Sequence, residues 1–153
     1  MIKGRGDYEL FTAGATIAAG AVVIASTGAD KTVTNTTTAS DKRAVGIAVE
    51  AIANGAVGLV QVGGVVRDAL VDGAVTRWHY LRTSTVSGKL VDEGTLVGAT
   101  TTPPSGACAI ALESIGATGA IDVQLIGVQT AGVESSTALS GLPKVVRKTA
   151  DET

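Results

Sequence analysis

Very few side chains of this sequence have the chemistry of a catalytic or metal site. The 153 residues include one histidine, His79, and one cysteine, Cys108. His79 lies in an alternating stretch, TRWHYL, whose period places it on the same strand face as Arg77 and Leu81. A histidine base acts only on a nucleophile within hydrogen-bond reach, and Cys108 lies in an apolar run typical of a small buried hydrophobe. Nothing in the sequence indicates that the two side chains meet.

The acidic pairs and glycine clusters are better explained as turns than as sites. Asp92 and Glu93 follow the segment SGKL, which is typical of a hairpin turn, so we expect a solvated turn there. Gly63-Gly64 lacks the Gly-Lys-Ser/Thr that completes a phosphate-binding loop. The tripeptide RGD at residues 5–7 matches an integrin-binding motif, but matches of three residues are common by chance. We therefore expect no catalytic residue, no cofactor and no metal, and a protein that is not an enzyme.

The composition favours an all-β protein without a nucleic-acid or membrane partner. The chain has 20 glycines, 45% hydrophobic residues and only 3% aromatic residues, and its Val, Ile and Thr residues prefer strands. The net charge of −2 argues against nucleic-acid binding, which normally requires a basic surface. No apolar run reaches the roughly 20 residues of a membrane-spanning helix. No apolar segment follows Lys3 and Arg5, so we expect no signal peptide and synthesis in a cytoplasm.

We expect one β-domain, a small β-sandwich or β-barrel, over residues 13–130. Its candidate strands, separated by Gly, Asn, Asp and Ser turns, are residues 21–26, 44–51, 57–66, 75–83, 95–99, 107–114 and 121–128. The Thr-rich segment 30–41 is predicted to be a polar loop or a β-edge hairpin. Residues 1–12 are predicted to be an N-terminal arm, and residues 131–153, which lack alternation, a C-terminal extension.

One phrase recurs along the chain: an apolar residue, two further residues, and then Gly-Ala and an aliphatic residue, with a looser last copy. Glycine permits the positive φ of a tight turn at the entrance to a strand. The predicted structural turn glycines are Gly20, Gly55, Gly73 and Gly119. Their unequal spacing excludes a solenoid of fixed period.

Between residues 45 and 128 the chain carries a pattern of strand and turn residues. They are Gly46, Ala48, Ile52, Ala53, Gly55, Val60, Gln61, Val62, Gly63, Gly64, Gly73, Ser87, Gly88, Lys89 and Leu90. This pattern resembles the bacteriophage capsid cement or head decoration proteins. The resemblance covers a little over half of the chain and rests on strand and turn residues.

The resemblance implies a β-barrel or β-sandwich that binds the outer surface of an icosahedral phage head and stabilises the capsid. It implies the major capsid protein and further copies of the chain, as a homotrimer, as partners, and a location in the virion. One alternative is another virion β-module, such as a head-fibre base or tail component. A carbohydrate-binding module is a further alternative, against which the low aromatic content argues, and an enzyme is the last.

Two groups of side chains are candidates for contact surfaces. The candidates for capsid contact in the N-terminal arm are Lys3, Arg5, Tyr8, Leu10 and Phe11, which we expect to become ordered on binding the head. Trp78 and Tyr80, on one strand face, are large apolar side chains and are expected in the core or in a subunit interface.

Overall fold

The structure, a computed structural model, describes residues 6–129, and this part of the chain is all-β. Its aliphatic and Thr-rich segments form short strands because branched side chains pack well on a pleated surface. The ten strands are β1 (Tyr8–Ala13), β2 (Val22–Ala25), β3 (Thr32–Thr34), β4 (Ala44–Ala48), β5 (Val57–Gln61), β6 (Gly64–Val71), β7 (His79–Thr83), β8 (Leu90–Leu96), β9 (Ala107–Ala111) and β10 (Gly119–Leu125).

The strands close into two small barrels, where the sequence had led us to expect a single barrel or sandwich. The first barrel has the order β1-β3-β2-β4-β5 and the second the order β10-β6-β8-β7-β9. The first and third strands of each barrel pair in parallel, with register Ala13 to Val33 in one and Val71 to Leu90 in the other. The remaining pairings within each barrel are antiparallel. Each strand of the first barrel thus has an equivalent five strands later.

The duplication extends to individual hydrogen bonds. The isolated bridge between Ile17 and Ile52 recurs between Val75 and Ile115. Other recurring bonds are Gly20 N to Ala48 O and Trp78 N to Ala111 O, both 2.7 Å, and Leu59 N to Glu50 Oε2 (2.9 Å) and Asp122 N to Glu113 Oε2 (2.8 Å). The two halves of the described chain are therefore a tandem repeat of one five-stranded unit.

Each barrel has an aliphatic core built from equivalent positions. The first core contains Ala13, Ile17, Val23, Val33, Ala48 and Val60. The second contains, in the same order, Val71, Val75, Leu81, Leu90, Ala111 and Val123. Small branched side chains fill these narrow interiors, which explains how the chain forms two cores with few aromatic residues.

The first barrel packs against the second through the outer face of β2 and β4. Val22 and Ile47 are cross-strand partners on that face, and both are buried among the core residues of the second barrel. Gly20 lies against β6, where Leu70 N donates to Gly20 O at 2.9 Å. A Cβ on Gly20 would lie 2.5 Å from Asp68 O, so this junction requires glycine for its close approach as well as for its φ of 86°.

The boundary between arm and domain differs from the prediction. Tyr8–Ala13 is β1, which pairs with β5 over five positions and with β3. Residues 8–12 are therefore part of the first barrel, because backbone pairing on both sides outweighs their polar, glycine-flanked appearance. Lys3, Arg5 and the predicted extension over 131–153 lie outside the described residues.

Three strand predictions also change. The predicted strand 57–66 is divided between β5 and β6 at Val62 and Gly63, where the chain passes from one barrel to the other. Asp92 and Glu93 belong to β8 and not to a solvated turn. The Thr-rich segment contains β3, which pairs with both β1 and β2 and so is an interior strand of its barrel.

The turn glycines divide into two groups. Gly20, Gly55 and Gly73 have φ values of 86°, 86° and 82°. Gly119 is instead the first residue of β10 and is outside the positive-φ group, so the prediction of a turn conformation there was wrong. Its glycine avoids a clash, since a Cβ would lie 2.6 Å from Cδ1 of Ile115.

Candidate functional site

The histidine has a carboxylate partner on the neighbouring strand. His79 at the start of β7 places Nδ1 2.9 Å from Asp92 Oδ1 in β8. Asp92 also accepts hydrogen bonds from the backbone N–H groups of Thr76 (3.0 Å) and Gly94 (2.6 Å). The Asp92 carboxylate thus links the turn at Thr76, the irregular part of β8 at Gly94 and the ring of His79, so the His79–Asp92 pair has a structural role. The sequence predicts a turn at Asp92, and no local pattern indicates its contact with His79.

Cys108 has the environment of a packing residue. It is 5% exposed, and burial raises the pKa of its thiol to about 12. It lines a half-open apolar cleft between the barrels, together with side chains such as Val22, Leu90 and Val128. The cleft has room for about one water molecule. Because the thiolate is the reactive form of cysteine, this thiol is poorly suited to nucleophilic chemistry.

A polar cluster around Asp41 joins the two barrels. Asp41 is 5% exposed and accepts hydrogen bonds from the Thr36 hydroxyl (2.7 Å) and from Arg43 Nε (3.0 Å) and NH2 (2.9 Å). Its backbone N–H donates to Thr83 Oγ1 in β7 at 2.6 Å, and the Thr83 hydroxyl donates to Thr38 O at 2.8 Å. The bond from the Arg43 side chain is the largest cause that lowers the Asp41 pKa, and burial opposes it. The cluster holds the β3–β4 loop against the second barrel.

Two exposed apolar areas remain on the outer faces of the barrels. The first, here called the Leu10 surface, consists of Leu10, Val57 and the half-buried Leu59. Leu10 of β1 pairs with Leu59 of β5, and Thr12 pairs with Val57, so these side chains share one face. Leu10 and Val57 are 56% and 62% exposed. Phe11 lies on the opposite face and packs against the first core. Its side chain therefore contributes to the core, where the sequence had predicted contact with a capsid.

The second area, the Trp78 surface, consists of Trp78, Leu96 and the half-buried Ile110. Trp78 has a φ of 65° and is 49% exposed, while Leu96 is 58% exposed. Val97 N donates to Trp78 O at 2.8 Å, which brings the end of β8 beside the tryptophan. Tyr80 is buried, as one of the two predicted placements requires. Trp78 is not in the core: it lies just before β7 and is about half exposed.

Among residues 6–129, no group of three or more His, Cys, Asp or Glu side chains is placed to hold a metal ion. A membrane-spanning helix is likewise absent from the described part of the chain. The arrangement that the structure offers is therefore packed barrels with two exposed apolar areas.

The fold is similar to that of a known virion component. The chain resembles the solved structure of the head fiber gp8.5 N base in bacteriophage phi29, with a TM-score of 0.59 and 14% sequence identity. The similarity covers 80% of this chain and 96% of that one. No protein-family model matches the chain, and no curated protein matches it. At this identity the comparison shows a shared fold, and the resemblance to the capsid decoration family stays a prediction.

The tandem repeat is the feature that sequence reasoning missed. A signal for it was present, since the pattern A-x-x-I-A-x-E-x-I occurs once in β4 and the following turn and again in β9 and its turn. The residues that recur at one constant spacing are Ala44, Ile47, Ala48, Glu50, Ile52, Val60 and Gln61, followed by Ala107, Ile110, Ala111, Glu113, Ile115, Val123 and Gln124. The Gly-Ala-Val phrase obscured this repeat, because its copies do not occupy equivalent positions.

Proposed function

We propose that the protein is a structural component of a phage virion, attached to the head and similar in role to the base of a head fibre. The observation that carries the proposal is the fold shared with the phi29 head fiber base over nearly the whole of that chain. Attachment to the head makes the major capsid protein the expected partner and the virion the expected location. A structural role also requires no reaction and no cofactor.

A capsid decoration protein is the second candidate, and the strand and turn pattern between residues 45 and 128 favours it. Both roles require a compact module with contact surface. The low content of charged residues, 17%, suits burial against neighbours, because each buried charge needs a partner. The two roles differ in what surrounds the module: a fibre base supports an elongated projection, whereas a decoration protein forms a compact knob on the capsid lattice.

The test is to purify intact particles, quantify this chain relative to the major capsid protein, and image particles with and without its gene by cryo-electron microscopy. A fibre base predicts loss of projections at discrete vertices or faces. A decoration protein predicts loss of compact density at every equivalent lattice position. Absence of the chain from purified particles would refute both roles.

The N-terminal residues provide a separate test of head attachment. Because β1 begins at Tyr8, a deletion of residues 1–5 removes Lys3 and Arg5 and leaves the first barrel complete. If these cations contact the head, the shortened protein should bind purified empty heads at least tenfold more weakly, about 1.4 kcal/mol, with unchanged urea unfolding. Replacing Lys42, an exposed cation of the β3–β4 loop, by Ala is a matched control. Equal binding by the deleted and full-length chains would place the contact elsewhere.

A further inference from the structure

The tandem repeat presents the same face of the fold twice: one copy is covered by the other barrel, and the second copy is partly open. In the first barrel, the face formed by Gly20, Val22 and Ile47 is buried against the second barrel. Matching hydrogen bonds and matching strand pairings, Val22 with Ile47 and Tyr80 with Ile110, make Trp78, Tyr80 and Ile110 the equivalent residues of the second barrel. There Tyr80 is buried, Ile110 is half-buried and Trp78 is 49% exposed, so the open part of the face is centred on Trp78. The second barrel therefore has the packing face of the first, but no third barrel in the described chain covers it.

The surface that would receive this face is also present and open. Within the chain, Gly20 rests on Asp68 and Leu70 of β6. The equivalents of Asp68 and Leu70 in the first barrel are Leu10 and Thr12 of β1, since Val71 and Ala13 occupy matching positions in the parallel pairings. Leu10 is exposed, and so is Val57, the partner of Thr12. Within residues 6–129, the two surfaces of a barrel-to-barrel contact are thus both exposed, one on each barrel.

Charge is complementary across the two surfaces. Arg77, next to Trp78, is exposed. Glu50 is exposed beside the Leu10 surface, where its Oε2 accepts a hydrogen bond from Leu59 N at 2.9 Å. Apolar areas of this kind on a domain surface commonly mark interaction sites, and a central tryptophan with a charged rim is a frequent arrangement in such sites.

We propose that the Trp78 surface of one copy of this chain binds the Leu10 surface of a second copy. In this contact the second barrel of one chain packs against the first barrel of the next, as the first barrel packs against the second within one chain. It is not a copy of the internal junction, because Gly20 permits backbone contact whereas Trp78 projects a large side chain toward its neighbour. The two surfaces differ, so the interface is heterologous and generates a closed ring or an open filament.

The free protein tests this proposal without reference to a virion. Trp78 is the only tryptophan, so its fluorescence reports on this surface alone. With increasing concentration up to about 100 µM, the emission maximum of the wild type should shift to shorter wavelength as the indole is buried. Sedimentation should show association over the same range. A concentration-independent spectrum with a monomeric sedimentation profile would overturn the proposal.

Two variants and their mixture test which surfaces meet. Trp78→Gly removes the indole at a positive φ that glycine adopts freely, and Leu10→Glu places a charge on the opposite surface. Each variant alone should associate at least tenfold more weakly than wild type. Their equimolar mixture should form a dimer, because the intact Trp78 surface of the Leu10→Glu chain meets the intact Leu10 surface of the Trp78→Gly chain. Val86→Glu, at another exposed apolar residue, is the control that should associate normally.

Other outcomes count against the proposal. Loss of association in both variants without recovery in the mixture indicates a symmetric contact or misfolding, and matching urea midpoints distinguish the two. If Trp78→Gly is unstable, Trp78→Asn replaces it, since asparagine also tolerates positive φ. Normal association of Leu10→Glu would show that the Trp78 surface binds a different partner. Failure of head binding in a protein that still associates would refute the virion role and leave this contact intact.

Discussion

Replacing Asp41 by Asn should reduce stability at neutral pH and remove one component of the pH dependence of unfolding. Asp41 is buried at the junction of the barrels, and the Arg43 side chain and the Thr36 hydroxyl donate to its carboxylate. The hydrogen bond from Arg43 is the main cause that lowers the Asp41 pKa from 3.8 to about 2, and burial acts in the opposite direction. Asn cannot carry the charge that these donors stabilise, and its NH2 group would face a donor.

The magnitude follows from the linkage between protonation and folding. One pKa unit corresponds to about 1.4 kcal/mol, so the lowered pKa of Asp41 represents roughly 2 kcal/mol of stability. Because the folded pKa lies below the unfolded one, this contribution is fully present above about pH 5 and is lost as the pH falls toward about 2. Asp41→Asn should therefore be about 2 kcal/mol less stable than wild type at pH 7, with the difference largely gone at about pH 2.

The assay is urea unfolding of wild type and Asp41→Asn at a series of pH values, because the difference between them isolates Asp41 from the other carboxyl groups. Asp30→Asn, at an exposed residue between β2 and β3, is the matched control and should follow the wild-type curve. A wild-type minus variant difference that stays constant from pH 7 to pH 2 would refute the linkage, even if the variant were less stable throughout.

Three further predictions concern packing at single positions. Gly55→Ala should lower the free energy of unfolding by about 1 kcal/mol through its positive φ alone, since space there is open, and Gly20→Ala should lower it clearly more because its Cβ would meet Asp68 O. Equal urea midpoints for the two variants would contradict this. Thr83→Val keeps the shape of a buried residue but leaves two backbone groups of the β3–β4 loop without their partner, so it should lower the free energy of unfolding by about 1–3 kcal/mol. An unchanged urea midpoint would show that these hydrogen bonds do not stabilise the junction of the barrels. Cys108 should resist aromatic disulfide reagents at pH 8 until urea unfolds the protein, because the thiol is buried with a pKa raised to about 12; rapid labelling of the native state would show that the cleft opens.

The sequence by itself determined the class of the fold and much of its local structure. Val, Ile and Thr in short alternating runs with glycine turns specify strands wherever they are placed, because side-chain shape and glycine φ act locally. The predicted strands around β2, β4, β9 and β10 overlap the observed ones for this reason. The positive φ at Gly20, Gly55 and Gly73 is likewise local.

Only the tertiary structure decided what depends on pairing between distant residues. Residues 8–12 are polar enough to suggest an arm, yet β5 and β3 hold them in a barrel, and no local signal announces those partners. His79 and Asp92, or Asp41 and Thr83, meet because strands and loops far apart in sequence are brought together. Gly20 and Trp78 occupy equivalent backbone positions with positive φ, yet Gly20 is buried and Trp78 is exposed, because only the first of these two positions is covered by the other barrel. The closure of the barrels and the packing between them determine which side chains are buried. A buried residue such as Gly20 joins the two barrels, whereas an exposed one such as Trp78 is available to a neighbouring molecule.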